Sequence, residues 1–196
     1  MAGGAGSCEM CASCCTLLLL LVAALLILSY GVVFNVGVTV EDATLTRLDL
    51  AGANGTDLAY GISLTVAVHN PNMAVRAEYT RPLAAELRLA TGGYELLRAV
   101  RLADAGQRVE AAETDRFGVA DEGVAARLGG AALAELVKEM GAGEEVSSLE
   151  LKITGEVRFR PVHAGRERRV DATCPLRLYR PGTNTTQVNH RVIKCH

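Results

Sequence analysis

Two stretches of the chain alternate between apolar and polar residues, and this period of two restricts what the chain can fold into. The first places Ile62, Leu64, Val66 and Val68 on one face. The second places Leu149, Leu151, Ile153, Val157 and Phe159 on one face. Such alternation predicts strands with one buried face, which pack as antiparallel sheets over a shared core.

Shorter segments of the same kind, separated by turn residues, bring the expected number of strands to about seven. One segment differs, because Leu133, Leu136, Val137 and Met140 follow helical spacing and Gly141 stands where a helix would end. We also expect a break in the first strand near Glu41 and Asp42. The predicted fold of residues 37–196 is therefore mainly β, an antiparallel immunoglobulin- or fibronectin-like β-sandwich with one inserted helix.

The N-terminal part has no charged residue from Met10 to Val40, and its centre, Thr16 to Phe34, is rich in leucine. As a helix this centre would be roughly 28 Å long, close to the hydrocarbon thickness of a bilayer. The sequence thus predicts a single transmembrane helix over residues 16–36, preceded by a short tail, residues 1–15. A cleaved signal peptide ending near Ser29 is the alternative, although the preceding segment lacks Lys and Arg.

Four cysteines lie in the short tail: Cys8, Cys11, Cys14 and Cys15. Cysteines beside a membrane segment are typical sites of palmitoylation, and free thiols are the plainer alternative. A metal site is a third interpretation, but the second Cys-x-x-Cys at finger spacing is missing. Both leading interpretations fit a cytosolic tail.

Two cysteines near the C-terminus, Cys174 and Cys195, are candidates for a disulfide, with two unpaired thiols as the alternative. The chain also contains two N-glycosylation sequons, at Asn54 and Asn184. Disulfides and N-glycans form in oxidising, extracytoplasmic compartments. These features favour a single-pass signal anchor in the plasma membrane, with a cytosolic N-terminus and an extracellular glycoprotein domain.

Asn70-Pro71-Asn72 ends the first alternating strand, and Tyr79 follows. Proline has no N–H and stops a sheet ladder, and asparagine side chains bond nearby backbone in turns. The motif is interpreted first as a structural turn and second as a direct ligand contact.

Charge is unevenly distributed although the whole chain has a net charge of −2. Residues 104–150 contain eleven acids and four bases, and residues 151–196 contain ten bases and three acids. Complementary surfaces of one domain would explain this, and so would a basic face for anionic lipid or acidic polysaccharide. The candidate contacts for such a face are Arg158, Arg160, Arg166, Arg168 and Arg169.

Catalytic chemistry is not indicated. Ser63 and His69 share a strand face but would be about 20 Å apart along an extended strand. Nucleophile, phosphate-binding and metalloprotease motifs are missing from the sequence. The low net charge and the 4% aromatic content argue against nucleic-acid binding. We expect no enzyme activity, cofactor or metal.

The order of these elements resembles a plant family. A cysteine-rich tail, a leucine-rich helix, the Asn70-Pro71-Asn72 strand end with Tyr79, the "LELKITGEVRFRP" segment and a basic strand ending at Cys174 occur together. The chain is similar in this to membrane-anchored late-embryogenesis-abundant proteins of the harpin-induced, non-race-specific disease resistance type. It departs from them in its short N-terminal tail and in Thr80, where an acidic residue often follows the tyrosine.

The resemblance implies a non-enzymatic, membrane-tethered interaction module in plant defence, stress response or contact between membrane and cell wall. Its partner would be a protein or a cell-wall polysaccharide. The alternative is a protective sandwich that contacts anionic lipid or polysaccharide without a dedicated protein partner.

Overall fold

The structure is a computed structural model that describes residues 5–52, 55, 57–90, 95–125, 130–142, 145–161, 167–179 and 192–196. The side chains of residues 5–12, 29, 95, 125 and 142 are outside the description. Helix α1 is Ala5–Gly31 and helix α2 is Gly130–Ala142. The long strands are β1 (Gly37–Ala51), β2 (Asp57–His69), β3 (Arg76–Leu89), β4 (Glu95–Ala103), β6 (Thr114–Ala125), β7 (Glu145–Arg160) and β8 (Arg168–Tyr179). Two short strands are β5 (Arg108–Val109) and β9 (Ile193–Lys194).

The strands form two sheets, and every described strand pair is antiparallel. The first sheet has the order β6-β2-β1-β9, and the second has the order β4-β3-β7-β8, with β5 paired to β3. The long strands follow the A-B-E and G-F-C-C′ orders of immunoglobulin-type sandwiches. The prediction of a mainly β chain with antiparallel sheets is confirmed.

The core lies between the inward faces of the two sheets, where the period of two predicted it. The predicted inward residues of β2 and of β7 are all buried. In β8 the buried face continues past Val170, Ala172 and Cys174 to Leu176 and Leu178. The alternation alone thus identified the strand faces whose apolar side chains are buried away from water.

The predicted break in the first strand is wrong, because β1 runs without interruption through Glu41 and Asp42. A register shift between Glu41 and Thr44 accommodates the two polar residues instead. Asp42 adopts φ 51°, a left-handed conformation that aspartate tolerates better than most residues. The bulge buries Ala43 without ending the ladder.

Helix α2 is the predicted inserted helix and packs against β7. Ala132 and Leu136 are buried, and Leu133 and Met140 are partly buried against the core. Val137 was expected on this face but is exposed, because the face follows the spacing 132, 136 and 140.

The predicted membrane-spanning helix is wrong: in the part of the chain that the structure describes, no helix is both long enough and apolar enough to cross a membrane. The apolar run from Leu17 to Leu28 lies between Thr16 and Ser29. At 1.5 Å per residue it covers about 18 Å, whereas a bilayer core is about 30 Å thick. The single-pass signal anchor, its topology and the plasma-membrane location were inferred from that helix and are corrected with it.

Gly155 allows the two central strands of the second sheet to approach closely. A Cβ atom built there would lie 2.9 Å from Leu83 Cδ1 and 3.4 Å from Leu83 Cα, and Leu83 is fully buried. Leu83 lies beside a register shift between β3 and β7, so its backbone has little room to move.

We predict that Gly155→Ala lowers the free energy of unfolding by about 1–3 kcal/mol, since overpacking forces buried neighbours to shift. Gly118→Ala is the matched control, because Gly118 also lies within a strand and a Cβ there would contact nothing within 4 Å. Urea denaturation of both variants measures the difference. Equal stability of the two variants would contradict the proposed contact.

Candidate functional site

The Asn70-Pro71-Asn72 turn is built around the buried side chain of Asn70. Its Nδ2 donates hydrogen bonds to the carbonyls of Val75 (2.8 Å), Glu110 (3.0 Å) and, at a longer distance, Val109 (3.4 Å). Its main-chain N–H donates to Glu113 O at 2.9 Å. Asn70 therefore joins the end of β2 to the start of β3 and to the segment between β5 and β6.

Asn72 extends the same network to the segment that follows α1. Asn70 Oδ1 accepts hydrogen bonds from Asn72 Nδ2 (2.8 Å) and from Asn72 N (3.2 Å). Asn72 Nδ2 also donates to Phe34 O at 2.9 Å, and Asn72 Oδ1 accepts from Phe34 N at 2.7 Å. Both side-chain amides are thus fully engaged with the protein itself. Pro71 between them is exposed and has no N–H to satisfy.

Tyr79, the other residue of the motif, is buried in the core. Its hydroxyl has no hydrogen-bond partner within the described residues, and burial followed by the charge of Asp115 raises its pKa. Burial raises the pKa of Asp115 as well, and the charge of Glu110 adds to this effect. Burial thus raises the pKa of both the Tyr79 phenol and the Asp115 carboxyl that acts on it.

Cys174 and Cys195 form a disulfide that joins β8 to the C-terminal segment. Of the tail cysteines, Cys14 and Cys15 are free and exposed on α1. Cys8 and Cys11 belong to the same helix, but their side chains are outside the described part. Palmitoylation of these four cysteines stays a prediction. Among the residues that the structure describes, no cluster of His, Cys, Asp or Glu could hold a metal ion.

Three of the candidate anion-contacting arginines are bonded to acids of the same chain. Arg158 pairs with Glu167 at 2.6 Å, Arg160 with Glu78 at 3.1 Å, and Arg169 with Asp171 at 3.1 Å. Their side chains remain 36%, 48% and 70% exposed. Arg166 and the sequon residues Asn54 and Asn184 lie outside the described residues.

Arg168 has a different role. Its Nη1 donates to Val33 O at 3.0 Å and to Asn35 Oδ1 at 2.7 Å, and its Cζ lies 5.8 Å from the centre of the Phe159 ring. The residue therefore fastens β8 to the segment between α1 and β1 through neutral acceptors, and its positive charge is not balanced by these bonds.

No sequence pattern indicated a polar group at the opposite side of the sandwich, between β4 and β6. Asp121 accepts a hydrogen bond from the Tyr60 hydroxyl at 2.9 Å and lies 3.5 Å from Arg98 Nε. Burial, with the hydrogen bond to Asp121 second, raises the pKa of Tyr60 to about 12. The group covers a small apolar pocket lined by Ile62, Leu64 and Val119 among others. Three strands supply its members, so no local pattern could have revealed it.

The potential catalytic groups of the first alternating strand, Ser63 and His69, lie six positions apart within β2. His69 is exposed, and its Nδ1 lies 2.9 Å from Thr114 Oγ1. Ser63 lies within β2 and its carbonyl accepts a hydrogen bond from Thr44. The motif residues and the arginines form separate groups, and neither group brings a nucleophile and a base together.

Comparison with known proteins assigns no family. No family model matches the chain, and no curated protein matches it. The structural genomics target SoR45 is 11% identical to this chain. The match covers 80% of this chain and 95% of the SoR45 chain, with a TM-score of 0.44. An Arabidopsis thaliana protein solved in solution is 13% identical, with coverage of 76% and 83% and a TM-score of 0.37. A protein from Archaeoglobus fulgidus is 10% identical, with coverage of 72% and 94% and a TM-score of 0.27.

We predict that Asn70→Ala lowers the free energy of unfolding by about 3 kcal/mol, because several buried carbonyls and Asn72 lose their partner together. His69→Ala is the control, because His69 precedes Asn70 in the chain but its side chain is exposed. We expect this variant to change the free energy of unfolding by no more than about 0.5 kcal/mol. Thermal and urea unfolding test both variants. Comparable losses would show that Asn70 is not the centre of the network.

We predict a pH-dependent effect for Asp115→Asn. The folded-state pKa of Asp115 is raised, so its contribution to stability is full below the unfolded-state pKa and is lost as pH rises through the folded-state pKa. The asparagine variant should therefore gain stability over the parent at about pH 7 but not at about pH 3. Asp49→Asn, at an exposed position of β1, controls for the loss of one charge. A gain of the same size at both pH values would contradict the linkage.

Proposed function

We propose that this chain is a non-enzymatic interaction domain that binds a carboxylate-rich polysaccharide through the outer face of its second sheet. The observation that supports the proposal is the placement of Arg81, Arg158, Arg160 and Arg169. They come from the three neighbouring strands β3, β7 and β8. Arg158, Arg160 and Arg169 each lie beside a residue whose side chain enters the core, and Arg81 forms an ion pair with Glu156 of β7. Guanidinium groups repeated along one sheet face suit a repeating carboxylate ligand.

The intramolecular partners of these arginines leave the face available for a ligand. Arg81 pairs with Glu156 at 3.1 Å and remains 72% exposed, much like Arg169 beside Asp171. Exposed ion pairs contribute only about 0–1 kcal/mol, so carboxylates of a ligand can replace them at little cost. A polymer carries many carboxylates on one chain and can replace several of these ion pairs at once, which raises its overall affinity.

The space around Arg81 and Arg169 supports the same face. These two side chains, with Pro82, Thr154, Gly155 and Glu156, line an open depression of about 320 Å³. Gly155 contributes main-chain atoms to this depression, because a Cβ at this residue would point toward buried Leu83. The depression is open, and most of the side chains that line it are polar or charged, which suits a hydrated sugar ring better than an apolar ligand.

A role in defence, stress tolerance or contact with the cell wall is the biological setting that the resemblance implies. We propose the same setting for this domain. A dedicated protein partner is the competing function, and one stoichiometric partner recovered with the same face would favour it.

We predict that Arg169→Glu weakens binding to polygalacturonate roughly tenfold, since a charged hydrogen bond is replaced by repulsion. Arg47→Glu is a closely matched control. Arg47 pairs with Asp49 two residues away at 3.1 Å, as Arg169 pairs with Asp171, and it is 61% exposed, but it lies in the first sheet. Affinity electrophoresis and biolayer interferometry at several salt concentrations measure the binding.

The expected result is a loss of affinity in Arg169→Glu and near-parent affinity in Arg47→Glu. An equal loss in both variants would mean that only net charge matters, and the assigned face would be wrong. A parent protein that does not retain polygalacturonate at low salt would overturn the proposed ligand class.

A further inference from the structure

The C-terminal segment 192–196 bonds to both sheets, and we call it the strap. Its strand β9 pairs with β1 at Thr39 and Val40 of the first sheet. Cys195 N donates to Val38 O at 3.3 Å. In the second sheet, Thr173 N donates to His196 O at 2.7 Å, and His196 N donates to Thr173 O at 3.0 Å. The strap thus closes the side of the sandwich where β1 and β8 lie.

Non-covalent contacts hold the strap weakly. Its ladder with β1 is two residues long, and only Ile193 and Cys195 are partly buried against the core. Val192, Lys194 and His196 are exposed. The entropy lost on ordering five residues is comparable with the net gain from so few hydrogen bonds. The covalent bond from Cys195 to Cys174 is therefore what keeps the strap in place.

The rest of the sandwich does not depend on the strap. Cys174 is buried in β8, which pairs with β7 over most of its length from Tyr179 to Arg168. The β1 strand likewise pairs with β2 from Gly37 to Ala51. Removing the strap leaves both long ladders and the shared core intact, so its release is a local event.

A pocket of about 190 Å³ lies beside the strap. Val36, Val157 and Val170 contribute apolar surface to it, and Cys195 with His196 forms one of its walls. If the strap leaves, this wall is removed and the outer edge of β1 at Thr39 and Val40 loses its partner. The position of the strap therefore decides how much of this side of the sandwich is open.

We propose that the Cys174–Cys195 bridge is a redox-controlled latch for the strap, and that a dithiol reductant opens it. Cys195 is partly exposed and Cys174 is fully buried, so the reductant thiolate attacks Cys195 Sγ. The sulfur–sulfur bond breaks and Cys174 leaves as a thiolate that takes up a proton. The second thiol of the reductant then resolves the mixed disulfide. Two electrons and two protons pass to the protein, and the reductant ends as a disulfide.

The experiment uses the full chain with Cys8, Cys11, Cys14 and Cys15 changed to serine. This background prevents exchange with the free thiols at Cys14 and Cys15, which are exposed. Amide hydrogen exchange is followed before and after addition of dithiothreitol. Cys195→Ser on the same background is the permanently open control, because it removes the partly exposed sulfur and leaves the buried Cys174 in place.

Reduction should speed exchange at the Thr173 and Cys195 amides by on the order of 100-fold, while protected amides within β2 and β7 keep their rates. Cys195→Ser should show the fast rates at once and should not respond to dithiothreitol. Unchanged protection of Thr173 and Cys195 after reduction would overturn the latch. Loss of protection throughout the sandwich would also overturn it, because the bridge would then be a global staple.

Discussion

The paired amides of Asn70 and Asn72 are the interaction on which the arrangement of the sandwich depends. A buried amide without partners is costly, and here each polar atom of both side chains finds one. The partners belong to three separate parts of the chain: the segment after α1, the residue that precedes β3, and the segment that leads into β6. The network therefore fixes how the first sheet passes into the second at this end. Because the members share one cluster of bonds, losing one leaves several others unsatisfied, which makes the turn an all-or-none feature.

Much of the fold could be predicted from sequence because its signals are local. Alternation in β2, β7 and β8 reports directly which side chains enter the core, and the spacing of Leu133 and Leu136 reports a helix. Features that depend on the length of a segment, or on residues far apart in the sequence, were predicted less well. The leucine-rich segment has the composition of a membrane segment, but no helix among the described residues is both long enough and apolar enough to cross a membrane, so composition alone led to a wrong prediction. The bond between Asn72 and Phe34 joins residues 38 positions apart, and nothing in either segment indicates the other.

The two sides of the sandwich are closed by different means. Where β1 and β8 meet, a disulfide and the main-chain bonds of the C-terminal residues cross from one sheet to the other. Where β4 and β6 meet, an exposed guanidinium beside Asp121 covers an apolar pocket, with Tyr60 holding the carboxylate from below. A covalent closure responds to redox conditions, whereas an ion pair responds to salt and to competing charges. The two sides can therefore open under different conditions while the core between them stays packed.

The uneven charge of the sequence becomes only in part a difference between sheets, because the acidic segment also supplies β5 and the first residues of β7 to the second sheet and the basic segment supplies β9 to the first. The acidic segment 104–150 contributes β6 to the first sheet, and the basic segment 151–196 contributes β8 and most of β7 to the second. The two segments do not simply neutralise each other, because Arg158, Arg160 and Arg169 take their acids from Glu167, Glu78 and Asp171, which lie outside the acidic segment. Nearby acids hold these guanidinium groups in place without covering them. A face built in this way is ordered in the absence of ligand yet gives up its internal pairs readily, which is the combination that a polyanion-binding surface requires.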